Sequence, residues 1–234
     1  MDKPTIRERI WDELEESGEA RFPFPPHGRI PNFAGADEAA ERLAHQPEWE
    51  DATTVKANPD APQLPVRRRA LRAGKTLYMA QPRLRDERPF LRLDPDEVSD
   101  VDEATTVSGV SAHGVPVGPE EMPEIELIVS GSVAVTEDGT RIGKGEGYSD
   151  LEFAVLRELG LVSDDTPTTT TVHGMQVVDD ASSPESHDVP MGLIVTPERT
   201  IRPEPSQKPA GIDWSLLSED RLDEIPVLRG LEDE

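Results

Sequence analysis

The chain has 234 residues, and 24 basic side chains against 48 acidic ones give it a formal net charge of −24 at pH 7. Nucleic-acid binding needs clustered Lys and Arg to neutralise phosphate, so this balance argues against a nucleic-acid partner. Cysteine is absent, which excludes disulfides, thiolate zinc sites and cysteine nucleophiles. With 35% hydrophobic residues, a chain of this length can still bury a core.

The charged residues are unusual in kind, because the chain has 19 Arg but only 5 Lys, and its acids are spread over the whole length. Such a surface suits molar salt, where the Debye length falls to about 3 Å and repulsion between acids is screened. The composition is therefore typical of a halophile's cytosolic protein, and we expect a halophilic archaeon as its source. An ordinary acidic protein is the alternative.

No segment predicts membrane insertion or export. The longest nearly apolar stretch, residues 127–135, is interrupted by Ser and Gly and falls far short of the roughly 20 residues that span a bilayer. Residues 1–20 are charged and lack the apolar segment of a secretory signal. We therefore expect a cytoplasmic protein without a membrane partner.

The first predicted element is an amphipathic helix over residues 4–17, where apolar side chains recur at a spacing of four. Thr5 and Glu8 have the form of a capping box at its start, and Gly18 ends it. Residues 21–33 contain four prolines, so we predict an irregular loop that its aromatic side chains hold against a surface.

The segments that follow alternate strand and helix patterns, which favours a mainly parallel sheet covered by helices. The predicted helices are 36–45, 66–73 and one with a capping box at 149–152 that ends at Gly160, and the predicted strands are 53–55, 76–79, 104–107, 125–129, 133–136, 168–172 and 193–196. Residues 81–103 are predicted to form a surface loop. We predict one α/β domain over residues 1–201, followed by a proline-rich segment and tail, 202–234, that docks on it.

The most informative segment is RIGKGEGYSDLE, residues 141–152. Its glycines are Gly143, Gly145 and Gly147, and its cations are Arg141 and Lys144. Glycines let backbone N–H groups approach a ligand closely, and a helix N-terminus with nearby cations favours anionic oxygens, so a nucleotide phosphate is the natural ligand. The spacing is neither GxGxxG nor that of a P-loop, and a purely structural turn is the alternative.

Two acidic residues are candidate magnesium ligands. Asp150 lies in the first turn of the predicted helix, and Asp188 precedes the strand at 193–196, so both could reach the same end of a parallel sheet. Magnesium bound to a nucleotide takes one or two protein carboxylates together with phosphate oxygens and water. The alternative is that either acid is merely solvated. The histidines lack metal-ligand spacing, and no nucleophile-elbow motif supports a hydrolase triad.

The glycine segment resembles the phosphate loop, roughly RxGxGxGYYD, of the 5-formyltetrahydrofolate cyclo-ligases. Lys3 and Arg7 look like that family's N-terminal ATP-binding pair, and Gln176 with residues 187–197 resembles its C-terminal block. A branch of proteins containing a methenyltetrahydrofolate synthetase domain is similar in RIPNF (29–33), KANPD (56–60), PRLR (82–85), SGSVAV (130–135), GKGEGYSDLE (143–152) and the tail GIDWS…IPVLR.

This resemblance implies a three-layer α/β/α fold with a central, mainly parallel sheet. It also implies ATP- and Mg²⁺-dependent conversion of 5-formyltetrahydrofolate to 5,10-methenyltetrahydrofolate, with ADP and phosphate released. By the same resemblance, ATP is held by Lys3, Arg7, Arg141, Gly143, Lys144, Gly145, Gly147 and Tyr148, the catalytic residues are Lys144 and Tyr148, and the metal ligands are Asp150 and Asp188.

The chain departs from the family pattern at four positions. Ser149 replaces a second tyrosine, Leu151 a basic residue, and Ser130 and Val135 a proline and a phenylalanine. These changes fall mainly around the folate side of the expected site. Two alternatives therefore stand beside the cyclo-ligase: a nucleotide-binding regulatory or interaction protein that has lost the folate pocket, and an enzyme for another small carboxylate or formyl substrate.

The net charge generates a prediction about salt. When KCl falls from molar to about 0.1 M, the Debye length grows to about 10 Å, so repulsion among the acidic side chains is less screened. We expect the thermal midpoint to fall over this range, as calorimetry would measure. A constant midpoint would contradict the halophilic interpretation.

Overall fold

A computed structural model describes residues 1–179 and 183–232. Its helices are α1 (Lys3–Glu16), α2 (Ala36–Ala44), α3 (Pro47–Asp51), α4 (Leu64–Arg72), α5 (Val101–Ala104), α6 (Val107–His113), α7 (Tyr148–Glu158), α8 (Glu219–Glu224) and α9 (Pro226–Glu232). Within the described residues, no helix combines the length and apolar character needed to cross a bilayer.

The strands form one large sheet and two small ones. They are β1 (Ala20–Arg21), β2 (Asn32–Phe33), β3 (Thr54–Ala57), β4 (Thr76–Ala80), β5 (Phe90–Leu93), β6 (Val115–Val117), β7 (Leu127–Val129), β8 (Ala134–Thr136), β9 (Arg141–Ile142), β10 (Thr168–Thr171), β11 (Val177–Val178), β12 (Leu193–Val195) and β13 (Thr200–Ile201).

The large sheet has eight strands in the order β13-β12-β10-β7-β3-β4-β5-β6. Its five central strands, β12 to β4 in that order, pair in parallel. The outer strands β13, β5 and β6 pair antiparallel. The predicted α/β class with a mainly parallel central sheet is confirmed.

Alternation along the central strands builds the core on both faces of this sheet. Leu127 and Val129 of β7 belong to the buried cluster that includes apolar residues of α2 and α4. Ile128 between them joins the opposite cluster, which includes apolar residues of α7. Because successive strand side chains point to opposite faces, helices cover both sides and the sheet becomes the middle of three layers.

The C-terminal segment contributes to the core on the α7 side. Ile225 and Leu228 are fully buried and belong to the same apolar cluster as α7. Residues 203–210 before α8 have no regular structure, as their prolines dictate. The division of the chain at residue 201 stays a prediction.

The other predicted elements agree with the structure to within about two residues at each end, except in the features described next. Both predicted capping boxes are wrong. Asp2 caps α1, since its carboxylate accepts a hydrogen bond from the Thr5 N–H at 2.9 Å. Gly147 precedes α7 in the left-handed conformation, with φ +71°, which a glycine adopts without strain.

The predicted loop over 81–103 and the predicted strand over 104–107 are also wrong. The segment contains β5, which pairs with β4, and most of α5. The surrounding prolines and charges obscure this short strand. Residues 104–107 connect two helices, because the Thr106 hydroxyl accepts from the Gly109 N–H at 2.9 Å and caps α6. Threonine side chains compete in this way with the strand that their propensity favours.

The proline-rich loop over 21–33 is held differently from the prediction. Phe22 and Phe24 are 78% and 59% exposed, whereas Phe33 is buried. The ends of the loop pair as β1 and β2, and the Trp11 indole N–H donates to the Arg29 carbonyl at 3.0 Å. Of the three phenylalanines, only Phe33 therefore holds the loop against the protein.

Replacing Ile225 by Ala tests the packing of the C-terminal segment. We expect the free energy of unfolding to fall by about 2–4 kcal/mol because a fully buried side chain leaves a cavity. Leu216→Ala, at a position 54% exposed in the same segment, is the control and should change it by about 0.5 kcal/mol or less. Equal small effects in urea denaturation would show that the segment does not pack as described.

Candidate functional site

A cleft of about 500 Å³ lies at the carboxyl ends of three central parallel strands. Residues 58–60 follow β3, residues 81–83 follow β4, and Gly131 lies shortly after β7, and all of them line it. Ligands of open α/β sheets bind in the crevice outside the carboxyl ends of the strands. The cleft therefore occupies the place where this architecture carries its sites.

The glycine loop, residues 143–147, joins β9 to α7 and forms one wall of the cleft. Gly145 and Gly147 have φ of +104° and +71°, so a side chain at either would strain the backbone. Gly143 has a different constraint, since a Cβ there would lie 3.0 Å from Arg141 Nη1. The first-turn N–H groups of α7 have no acceptor within the helix, which makes this wall suitable for an anion.

Lys3 and Arg7 lie one turn apart on α1, and both line the cleft. Lys3 Nζ contacts Asp188 Oδ2 at 2.6 Å, and Arg7 Nε donates to the Gly143 carbonyl at 2.6 Å. Burial and the neighbouring positive charge of Arg141 lower the pKa of Arg7. The structure thus brings the predicted N-terminal pair into the cleft, with Arg7 at the start of the glycine loop and Lys3 against Asp188.

Arg141, just before the glycine loop, forms a buried ion pair with Asp150. It donates through Nη1 to the Gly131 carbonyl at 2.9 Å and through Nη2 to Asp150 Oδ2 at 2.6 Å. Asp150 Oδ1 accepts from the Val189 N–H at 3.1 Å. Burial by itself would lower the pKa of Arg141, but the Asp150 carboxylate raises it above its ordinary value.

The two predicted magnesium ligands lie in the same cleft. Asp150 is paired with Arg141, and Asp188 Oδ2 accepts from both Lys3 and the Glu185 N–H, the latter at 2.7 Å. Among the described residues, no group of three or more His, Asp or Glu side chains is placed to hold a metal. Mg²⁺ bound to a nucleotide takes one or two carboxylates from the protein and its other ligands from phosphate and water, so the chemistry of this pair is compatible with the ion. The role of Asp150 and Asp188 as metal ligands stays a prediction.

Lys144 and Tyr148 also line the cleft. Lys144 Nζ is 2.7 Å from Glu146 Oε2, and both side chains are partly exposed. Tyr148 is the first residue of α7, and the guanidinium carbon of Arg221 lies 4.9 Å from the centre of its ring. Their catalytic roles stay predictions.

Gln176 and His187, both from the C-terminal block of the resemblance, lie in different places. Gln176 is buried and donates to the carbonyls of Ser132 and Val133 at 2.9 and 3.1 Å. It joins the segment before β11 to the residues just before β8 and does not line the cleft. His187 does line it, beside Asp188.

Sequence analysis missed a buried ion pair beneath the glycine loop. Lys56 of β3 pairs with Glu152 of α7, and Lys56 Nζ donates to Asn58 Oδ1 at 3.0 Å. Asn58 Nδ2 in turn donates to Ser149 Oγ at 3.3 Å. A buried lysine needs such a partner because an unpaired charge is costly to bury. The available signal was a single lysine within an otherwise buried strand pattern.

Arg67 was missed as well. It is buried on α4 and donates to the carbonyls of Asn58 and Asp60 at 2.7 and 2.8 Å, so it fixes the loop after β3. Burial lowers the pKa of Arg67 to about 10 and raises the pKa of Asp60, which lines the cleft. The signal was an arginine on the face of α4 that carries buried Val66 and Ala70.

The cleft lining is less acidic than the chain as a whole. Its lining contains five Lys and Arg side chains and six Asp and Glu side chains, whereas the chain has twice as many acidic as basic residues. Together with the loop amides, this distribution permits an anionic ligand. Fold and site define an α/β protein with a glycine loop in a cleft at the carboxyl edge of its sheet.

Comparison with known proteins gives the family. The model of the 5-formyltetrahydrofolate cyclo-ligase family matches residues 1–197, and the chain belongs to this family.

The chain is similar over nearly its whole length to methenyltetrahydrofolate synthase domain-containing proteins. It is 45% identical to that of Mus musculus and 44% to that of Bos taurus over 240 residues, covering 99% of this chain and 63% and 62% of the relatives. The chain thus spans about three fifths of the length of these curated relatives. The NMR structure of Aquifex aeolicus 5,10-methenyltetrahydrofolate synthetase has the same fold, with a TM-score of 0.53, 18% identity, and coverage of 88% of this chain and 95% of that one.

Two isosteric substitutions separate the roles of the carboxylates. Asp150→Asn should lower the free energy of unfolding by about 3 kcal/mol, because it leaves the buried Arg141 charge without its partner. Asp188→Asn should cost less, about 1–2 kcal/mol, since 17% of the Lys3 side chain is exposed to water against 5% of Arg141. Urea denaturation in molar KCl measures both. Equal losses in the free energy of unfolding would show that the Arg141–Asp150 pair stabilises the fold no more than the Lys3–Asp188 pair does.

Proposed function

We propose that the protein binds Mg·ATP at the glycine loop and catalyses the ATP-dependent conversion of 5-formyltetrahydrofolate to 5,10-methenyltetrahydrofolate, releasing ADP and phosphate. The observation that carries this proposal is the wall formed by Gly145, Gly147 and the first turn of α7, flanked by Lys3 and Arg7. Family membership supports the choice of reaction. The acidic surface supports a further proposal, that the protein works in molar salt in the cytoplasm.

In this proposal the protein acts by positioning and by neutralising charge, as phosphoryl-transfer enzymes do. The loop amides and the side chains of Lys3, Arg7, Arg141 and Lys144 hold the phosphate oxygens. Asp150 and Asp188 hold the Mg²⁺ ion, which when bound neutralises phosphate charge. Tyr148 lines the substrate side of the loop.

A nucleotide-binding protein without folate turnover is the second candidate. The observation that favours it is the polar floor of the cleft, where Asn58, Ser149 and Glu152 line the surface below the loop. Pockets for small organic ligands are predominantly apolar and aromatic, so this floor suits a pterin ring poorly. The same observation admits a smaller formyl or carboxylate substrate. In this second case ATP raises the thermal midpoint while 5-formyltetrahydrofolate leaves it unchanged.

The experiment that tests the function is an assay for methenyl product with ATP, Mg²⁺ and 5-formyltetrahydrofolate in molar KCl. The cyclo-ligase proposal expects product to form only when ATP is present, with ADP released in equal amount. ATP binding without product would favour the nucleotide-binding alternative.

The glycine loop generates its own prediction, with a matched control on the same helix. Gly147 before α7 and Gly160 after it have nearly equal φ, +71° and +69°, so valine at either should strain the fold by about 1–3 kcal/mol. Only Gly147→Val should abolish Mg·ATP binding, because only Gly147 lies in the cleft. Calorimetric titration and thermal midpoints measure the two effects. A folded Gly147→Val protein that binds ATP like the parent would remove the nucleotide from this loop.

A further inference from the structure

The C-terminal segment places an arginine against the outside of the glycine loop. Arg221 of α8 donates through Nη2 to the backbone carbonyl of Glu146. Its guanidinium also lies over the ring of Tyr148, at 4.9 Å from the ring centre. Arg221 does not line the cleft itself. Its contacts are instead with Glu146 and Tyr148, which do line the cleft.

The place of α8 is fixed at several points. The Ser218 hydroxyl accepts from the backbone N–H of Arg221 at 3.3 Å and caps the helix. Glu224 at its end is 3.0 Å from Arg85, which follows the cleft-lining residues 81–83. Ile225, next in the chain, is fully buried. The helix thus contacts the glycine loop through Arg221 and the loop after β4 through Glu224. The buried Ile225 anchors its end in the core.

The contact with Glu146 has a consequence for the loop amides. A peptide unit is planar, and its C=O and N–H point in opposite directions. Holding the Glu146 carbonyl toward Arg221 therefore turns the Gly147 N–H away from Arg221. The Gly147 N–H is thus not directed at Arg221, and Gly147 lines the cleft, where an anion could accept from this N–H.

We propose that Arg221 is a positioning residue which the C-terminal segment supplies to the anion site, so that the glycine loop binds the nucleotide tightly only while that segment is docked. This inference rests on the proposed nucleotide site. The residues matched by the family model end at 197, so α8 adds this contact from outside the family's common part.

The chemistry of the contact requires arginine. The planar guanidinium can donate to a carbonyl and stack on an aromatic ring at the same time, whereas a lysine ammonium is a compact charge that cannot do both in this geometry. The coupling is also reciprocal, because a nucleotide that binds better with the segment docked must favour docking. Mg·ATP should therefore slow trypsin cleavage within residues 212–229.

The test compares Arg221→Gln with Arg229→Gln in the full chain in molar KCl. Arg229 lies in the same segment on α9, where it pairs with Asp223 at 2.6 Å and is exposed, so it is the matched control. Calorimetric titration should show Mg·ATP binding about tenfold weaker in Arg221→Gln, because a charge-assisted hydrogen bond to the loop is lost. Arg229→Gln should bind as the parent does. Both should keep the parent's thermal midpoint within a few degrees, roughly 3 °C.

Arg221→Lys is the second variant, in case Arg221→Gln does not fold. It keeps the charge and should still bind Mg·ATP more weakly than the parent. Parent-like affinity in either folded Arg221 variant overturns the proposal, as does an equal loss in Arg229→Gln or an absence of nucleotide protection against trypsin in a parent that binds Mg·ATP. A parent that binds no nucleotide would overturn the proposed function itself, and this inference with it.

Discussion

The buried pair between Arg141 and Asp150 is the contact on which the site depends. It connects β9, the turn after β7 through the Gly131 carbonyl, the first turn of α7, and the segment before β12 through the Val189 N–H. Either charge alone would be costly to bury, so the two must come together for the chain to fold. The glycine loop, residues 143–147, lies between these two residues in the chain. Pairing of Arg141 with Asp150 therefore fixes both ends of the loop beside the cleft.

The loop is held at both ends by arginines from distant parts of the chain. Arg7 of α1 binds the Gly143 carbonyl, and Arg221 of α8 binds the Glu146 carbonyl. These contacts are short-range, so the screening that molar salt imposes on distant charges affects them little. A protein with a net charge of −24 can in this way keep an anion site built from backbone amides and local cations.

Hydrophobic patterns in the sequence predicted the helices and strands correctly where the pattern was local and strong. Continuous apolar strands such as 193–196 and the periodic helix before Gly160 agree with the structure, and so does the convergence of Lys3, Arg7, Asp150 and Asp188 on one cleft. The failures have local physical causes: threonines that cap a helix at residue 106, and a short strand hidden among prolines at 90–93. The sequence marks Lys56 and Arg67 as charged residues at buried positions but does not show what they contact. The partners of Lys56 and Arg221 lie 96 and 75 residues away in the chain, so only the fold brings them together.

The central claim is that the glycine loop and the first turn of α7 bind nucleotide phosphate. Amide hydrogen exchange in molar KCl, with and without Mg·ATP, tests it most directly because the proposed ligands include the amides themselves. The account predicts that exchange slows across residues 143–150 when Mg·ATP is added. Unchanged exchange there, or protection confined to another part of the chain while ATP binds, would contradict it.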